Sequence, residues 1–134
     1  MVTTRGVVDL EWMLDHELCL AERYRRFVSV AMLKPSVDIS PKKLLENTLR
    51  NSDVYFEFGN SIGAVLMSET NTSGAVSAIE RYRDNCSGLG MTFAIGSYPQ
   101  DHHSARGLLS IIYKRLKKAE EEGDGAVIIS DPSQ

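Results

Sequence analysis

The sequence predicts an α/β fold of the α+β kind: a ferredoxin-like β-α-β-β-α-β core with a helix before it and a helix and strand after it. Three observations carry that expectation. Segments with apolar residues at three- and four-residue spacing alternate with short β-branched or aromatic runs. Two of the runs flank Gly59-Asn-Ser, a hairpin signal in the middle of the chain. Breakers such as Pro35, Ser40-Pro41, Gly88 and Gly123 fall between the segments.

Element by element, Leu10, Met13, Leu14, Leu18, Ala21 and Tyr24 give an amphipathic helix over about 8–26. Phe27-Val-Ser-Val-Ala-Met-Leu33 is short, apolar and β-branched, a buried strand that Pro35 ends. Ser40-Pro41 opens a helix, the serine hydroxyl capping a free amide and the proline taking the first helical position. Leu44, Leu45, Thr48 and Leu49 carry its face to about Asn51. Strands over 53–58 and 62–67 are joined by Gly59-Asn-Ser, where glycine and asparagine tolerate the positive φ of a tight turn. Thr70 or Thr72 caps a helix with Ala75, Val76, Ile79 and Tyr82 inward, and Asn85-Cys-Ser-Gly88 breaks it. Met91–Ile95 is the next strand. Ser104 opens a long helix with Leu108, Leu109, Ile112, Leu116 and Ala119 inward, stopped by Gly123 and Gly125, and 126–129 is a last short strand.

At 134 residues, with no repeat, linker or low-complexity stretch, the chain fits a single domain over 1–134. Apolar residues make up 43% and charged residues 25%, an ordinary globular balance. The net charge of −3 carries no footprint for nucleic acid. No apolar run reaches the roughly 20 residues of a membrane span, and Met1-Val-Thr-Thr-Arg-Gly is no signal peptide. Cys19 and Cys86 read as buried or incidental thiols, and a cytoplasmic protein is expected.

Four stretches, in order and spacing, resemble a GGDEF domain, the bacterial diguanylate cyclase module. They are the opening helix from Leu14, Arg50-Asn-Ser-Asp-Val-Tyr-Phe-Glu-Phe-Gly59, Thr92-Phe-Ala-Ile-Gly-Ser-Tyr-Pro99, and the closing helix from Leu108. The likeness runs from roughly Leu14 to Val127 and implies the GGDEF/nucleotide-cyclase fold. In that family the loop after the RxxD motif supplies glycines that touch substrate and an acid that holds Mg²⁺. Here the loop reads Gly59-Asn60-Ser61-Ile62-Gly63, with Ile62 where the metal-binding acid stands. The first strand ends in Leu33-Lys34-Pro35 instead of an aspartate, the guanine-binding segment is shortened to about Pro35–Ser40, and the expected phosphate-binding lysine falls on Glu120. Phosphodiester formation needs a divalent metal, and magnesium needs hard oxygen ligands. The resemblance therefore implies a degenerate domain: no Mg²⁺ cofactor, no catalytic residue, no cyclase activity.

What the resemblance retains is the product-binding RxxD site. Arg50 and Asp53 keep its spacing to Gly59, so cyclic di-GMP is the expected ligand, with Arg81 or Arg83 of the following helix as a second arginine and Tyr82 as a stacking support. Arginine pairs with the guanine N7/O6 edge or a phosphate, and aspartate accepts from guanine N–H groups. The bland readings stand alongside. Arg50 serves equally as a cation in a helix's last turn, Asp53 as a turn residue, and Arg81 and Arg83 as a solvated face. His102-His103 reads as a solvated loop, and Lys114–Lys118 with Glu120–Glu122 as a solvent-facing helix. The alternative function is a nucleotide-free module for protein interaction or dimerisation, with Trp12 and Tyr24 of the first helix packing on a partner or a second copy.

Overall fold

A five-stranded sheet separates two helical layers, and the alternation of side chains along the first strand decides which helix lies where. The computed structural model describes residues 7–37, 39–59, 61–85, 90–123 and 127–128. Its elements are α1 (Val7–Tyr24), β1 (Val28–Pro35), α2 (Pro41–Leu45), β2 (Val54–Glu57), β3 (Gly63–Ser68), α3 (Thr72–Asn85), β4 (Met91–Tyr98), α4 (Ala105–Glu122) and β5 (Val127–Ile128). The sheet order is β2-β3-β1-β4-β5, antiparallel throughout except for the parallel pair β4 and β5. This is the expected split β-α-β-β-α-β topology, with β1 central.

Because residues alternate across a strand, Val28, Val30 and Met32 join a core with Leu10, Leu14 and Leu18 of α1 and Leu108, Ile112 and Leu116 of α4. Ala31 and Leu33 point the other way, to a core with Leu45 of α2 and Ala75, Ala78, Ile79 and Tyr82 of α3. Each fully buried leucine contributes about 2 kcal/mol of hydrophobic stabilisation. The sequence patterns of α1, α3 and α4 land on the faces expected of them, with one exception: Tyr24 is exposed, because α1 ends there and Arg25 turns the chain at φ 54°.

Several expectations need correction. The helix begun at Ser40-Pro41 ends at Leu45, well short of Asn51. The Ser40 hydroxyl caps nothing; it donates to Glu57 Oε1 at 2.7 Å, so this short helix lacks its cap and the chain leaves it in turns. The cap of α3 is neither Thr70 nor Thr72: Asn71 Oδ1 accepts the Gly74 N–H at 2.9 Å, while the Thr70 hydroxyl donates to the Ser68 carbonyl. Ser104 does cap α4, accepting the Gly107 N–H at 3.0 Å. The strands of the first core run longer than the apolar pattern alone marks, β1 to Pro35 and β4 to Tyr98, since each is paired along its length. Of the two readings of Cys19, buried or incidental, its exposure leaves the incidental one, whereas Cys86, Gly88, Gly125 and Ala126 lie outside the described residues.

One cation in the supposed solvent-facing run 114–118 is a core residue. Arg115 is 3% exposed, donating Nη1 to the Ile95 carbonyl at 2.8 Å and Nη2 to Asp101 Oδ1 at 2.9 Å. A buried charge survives only when paired and hydrogen-bonded in this way. The pair ties α4 to the end of β4.

Candidate functional site

Two corners of the sheet matter, one at the β2–β3 tip, where Ile62 faces the α1/α4 core and Tyr55 the α2/α3 core, and one at the α2–β2 connection. The tip is built by close approach. A Cβ on Gly63 would sit 2.7 Å from Tyr55 Oη and 3.1 Å from Pro41 Cβ, so only glycine lets β3 start this near α2. Tyr55 Oη donates to Glu57 Oε1 at 3.0 Å, the same oxygen that takes the Ser40 hydroxyl. Burial and the Glu57 carboxylate push the Tyr55 phenol well above its usual range. The loop closes through Phe58 N–H to the Ile62 carbonyl at 2.8 Å. The positive φ falls on Ser61, at 61°, not on Gly59; Asn60 lies outside the described residues.

Ile62 is 4% exposed and packs into the core with α1 and α4. With Met32, Phe58, Leu109 and Tyr113 it borders an apolar groove of about 530 Å³. At the end of β1, Lys34 Nζ lies 3.4 Å from Glu120 Oε1 on α4, the two side chains 31% and 28% exposed. That carboxylate oxygen is out of solvent and accepts no hydrogen bond from the described residues, so the ion pair with Lys34 is what compensates it. The end of β1 and the end of α4, read separately in the sequence, are thus joined to each other. The Ile62 side chain has no oxygen and Lys34 is positive, so neither side chain offers a divalent cation the hard oxygen ligand it needs, and no group of three metal-ligating side chains occurs among the described residues.

The second corner is made by Arg50 and Asp53. The Arg50 N–H donates to Asp53 Oδ2 at 2.9 Å and the Asp53 N–H returns to the Arg50 carbonyl at 3.0 Å. This reciprocal turn fixes one carboxylate oxygen and leads directly into β2. Asn85 Nδ2 donates to the Leu44 carbonyl at 2.9 Å, pinning the last turn of α3 against the end of α2. Arg81 and Tyr82 are thereby held beside the 46–53 connection. Burial raises the Asp53 pKa above the ordinary carboxylate value; the Arg50 N–H and then the charges of Arg50 and Arg81 pull it back down. Arg50 is exposed, and its guanidinium is in no ion pair with the described residues.

Arg81 is half-buried, with Nη2 shielded from solvent and without a hydrogen-bond partner among the described residues. Tyr82 is wholly buried, and its Oη likewise has no partner among the described residues. Burial, followed by the Asp53 charge, pushes the Tyr82 phenol upward, while Arg81 and Arg50 oppose the shift. Arg50 and Asp53 are joined by the reciprocal turn, and Arg81 and Tyr82 sit on the neighbouring α3. The Arg83 guanidinium carbon lies 5.8 Å from the centre of the Phe93 ring on β4. The resemblance gave Tyr82 a stacking role, whereas its ring is core, packed in the cluster with Ala75, Ala78 and Ile79.

No protein-family model matches the chain, and no curated protein matches it in sequence. Solved structures do match in fold. The GGDEF domain of YfiN (TpbB) from Pseudomonas aeruginosa superposes with a TM-score of 0.85 at 15% identity, covering 99% of this chain and 100% of that one. The active GGEEF domain of a diguanylate cyclase from Vibrio cholerae gives 0.84 at 13% identity, with the same two coverages of 99% and 100%. The GGDEF domain with coiled coil of DgcB from Caulobacter crescentus, solved in complex with c-di-GMP, gives 0.76 at 13% identity over 96% of this chain and 82% of that one. The chain has the GGDEF-domain fold. At such identities the likeness fixes architecture, and function has to be argued from the two corners.

Proposed function

We propose that this is a catalytically inactive GGDEF-like domain acting as a regulatory module in bacterial signalling, and that it binds cyclic di-GMP at the corner formed by Arg50, Asp53 and Arg81. The carrying observation is the reciprocal turn that holds the Asp53 carboxylate beside Arg50 at the spacing of the RxxD motif, next to α3, whose Arg81 Nη2 sits shielded and without an acceptor among the described residues. Such a group costs about 1–3 kcal/mol when left unmade, a cost that an acceptor on a ligand removes. A guanine edge offers acceptors to arginine and N–H donors to aspartate. DgcB, of the same fold, has been solved with that dinucleotide.

Inactivity rests on the other corner. With Ile62 inside the core and Lys34 paired to Glu120, these positions offer no free carboxylate to the divalent metal that phosphodiester formation needs. Incubation with GTP and Mg²⁺ is expected to yield no cyclic product. Calorimetry with cyclic di-GMP is expected to give saturable binding, and an absence of heat at high micromolar ligand contradicts the ligand assignment.

A second reading, a nucleotide-free interaction or dimerisation domain, draws on Trp12. That side chain is 71% exposed on α1, stacked on His16 with ring centroids 6.3 Å apart, and Tyr24 is also exposed. An exposed tryptophan of this kind suits a protein contact. SiaD, a diguanylate cyclase of Pseudomonas aeruginosa with the same fold, was solved in complex with its activator SiaC. Light scattering across a concentration series tests self-association: a Trp12-dependent dimer with no nucleotide binding favours this reading.

A further inference from the structure

A knob and a hole lie side by side where α1 meets α4. The knob is Trp12, 71% exposed, its ring stacked on His16 one turn further along α1. The hole is the apolar groove of about 530 Å³ bordered by Met32, Phe58, Ile62, Leu109 and Tyr113, the last of them also exposed. Between knob and hole runs the ion pair of Arg106 Nε with Glu11 Oε1, 2.9 Å apart. Both of its residues line the groove, and both line the neighbouring hollow that contains Trp12. Trp12 does not line the groove of its own chain. An indole ring and an apolar groove left in water each forgo hydrophobic stabilisation that contact between two such surfaces supplies.

We infer that the groove receives Trp12 of a second copy of this chain, and that Trp12 of the first copy enters the second copy's groove in return. The inference rests on the dimerisation reading above and adds the surface that receives the tryptophan. It shares no residue with the Arg50–Asp53 corner. What carries it is self-complementarity. In a two-fold interface one patch serves both partners, so a knob has to find its hole on the same patch that bears it. This patch meets that condition in shape, and it does so in charge as well. A two-fold axis near the Arg106–Glu11 pair brings each cation to the other copy's acid. Asp15, exposed in the Trp12 hollow, adds a second acid to the same rim. The Arg106 side chain is 87% exposed, so it can turn to a partner without leaving the core. Buried aromatic anchors inside a charged rim are the anatomy of a specific interface. A small apolar ligand would fill the groove and leave Trp12 in water, whereas a second copy covers both.

The test is sedimentation equilibrium on the whole chain for wild type, Trp12→Ala and Ser110→Arg. Ser110 lines the groove from an exposed position on α4, so an arginine there obstructs the groove without entering the core. An unchanged melting temperature shows that each variant folds. Either substitution should weaken the dimer about a hundredfold, the scale of removing an anchor from both of its halves. Mixing the two variants separates reciprocal insertion from other contacts of Trp12. The mixed pair keeps one intact knob facing one intact groove, so it should associate about tenfold more tightly than either variant alone. A Trp12-dependent dimer that is indifferent to Ser110→Arg, or variants that gain nothing on mixing, overturns the groove as the receiving surface and leaves dimerisation standing. Wild type that stays monomeric up to millimolar concentration overturns both.

Discussion

The two corners of the sheet differ in how far their polar groups are matched. At the β2–β3 tip the charges are matched internally: Lys34 meets Glu120, Glu57 takes two hydroxyls, and Ile62 completes an apolar core. At the α2–β2 connection burial raises the Asp53 pKa, and on the adjoining α3 Arg81 Nη2 and Tyr82 Oη have no hydrogen-bond partner among the described residues. A corner that satisfies itself has no need of a ligand. One that carries unmatched donors spends stability on an arrangement that binding can recover.

The largest expected effect comes from forcing an acid into the closed corner. Ile62→Glu buries a carboxylate among Met32, Phe58 and Ala64 and should cost roughly 3 kcal/mol in a urea titration, without generating a cyclic product from GTP and Mg²⁺. An Ile62→Glu variant as stable as wild type would show that the tip is looser than its packing. At the open corner, Asp53→Asn should reduce cyclic di-GMP affinity at least about tenfold while leaving the melting temperature unchanged or slightly raised. The sign follows from the Asp53 pKa. It is raised in the folded chain, so ionisation of Asp53 weakens the fold as pH climbs from the unfolded value through the folded one, and the amide avoids that penalty while its oxygen still accepts the Arg50 N–H. A clear drop in melting temperature with affinity intact would return Asp53 to the role of turn residue.

The same shift gives a pH dependence. Ligand held by ionised Asp53 should bind progressively less well as pH falls through its raised pKa, and that dependence should vanish in Asp53→Asn. Measuring affinity across a mildly acid series checks it. The smallest effect belongs to the Lys34–Glu120 pair. Lys34→Ala or Glu120→Ala should cost about 1 kcal/mol or less, since each side chain remains nearly a third exposed, and added salt should erode the difference. Neither change should alter cyclic di-GMP binding.

How much of this was legible in the sequence differs by corner. Periodicity identified every element of the fold because the core is organised by local spacing: Leu10, Leu14 and Leu18 on α1, or Leu108, Ile112 and Leu116 on α4, each fall on one face. The RxxD spacing drew attention to Arg50 and Asp53, and the loop composition to the missing acid. What escaped were pairings between distant segments. Ser40 looked like a cap because nothing local revealed Glu57 as its partner. Arg115 looked solvated because its neighbours in the run are lysines, and only the fold brings Ile95 and Asp101 to it. Lys34 and Glu120 read as two separate losses, while the sheet and α4 make them a single ion pair.

The most direct test of the contrast between the corners is a calorimetric titration of cyclic di-GMP into wild type and Arg50→Ala. Arg50 is exposed and its guanidinium is in no ion pair with the described residues, so its loss should leave the fold intact. The expected result is saturable binding by wild type and a loss of about 2–3 kcal/mol of binding free energy in the variant, the worth of a charge-assisted pair. Identical isotherms for the two proteins, or no binding by wild type at high micromolar ligand, would contradict the assignment of this corner as the functional site.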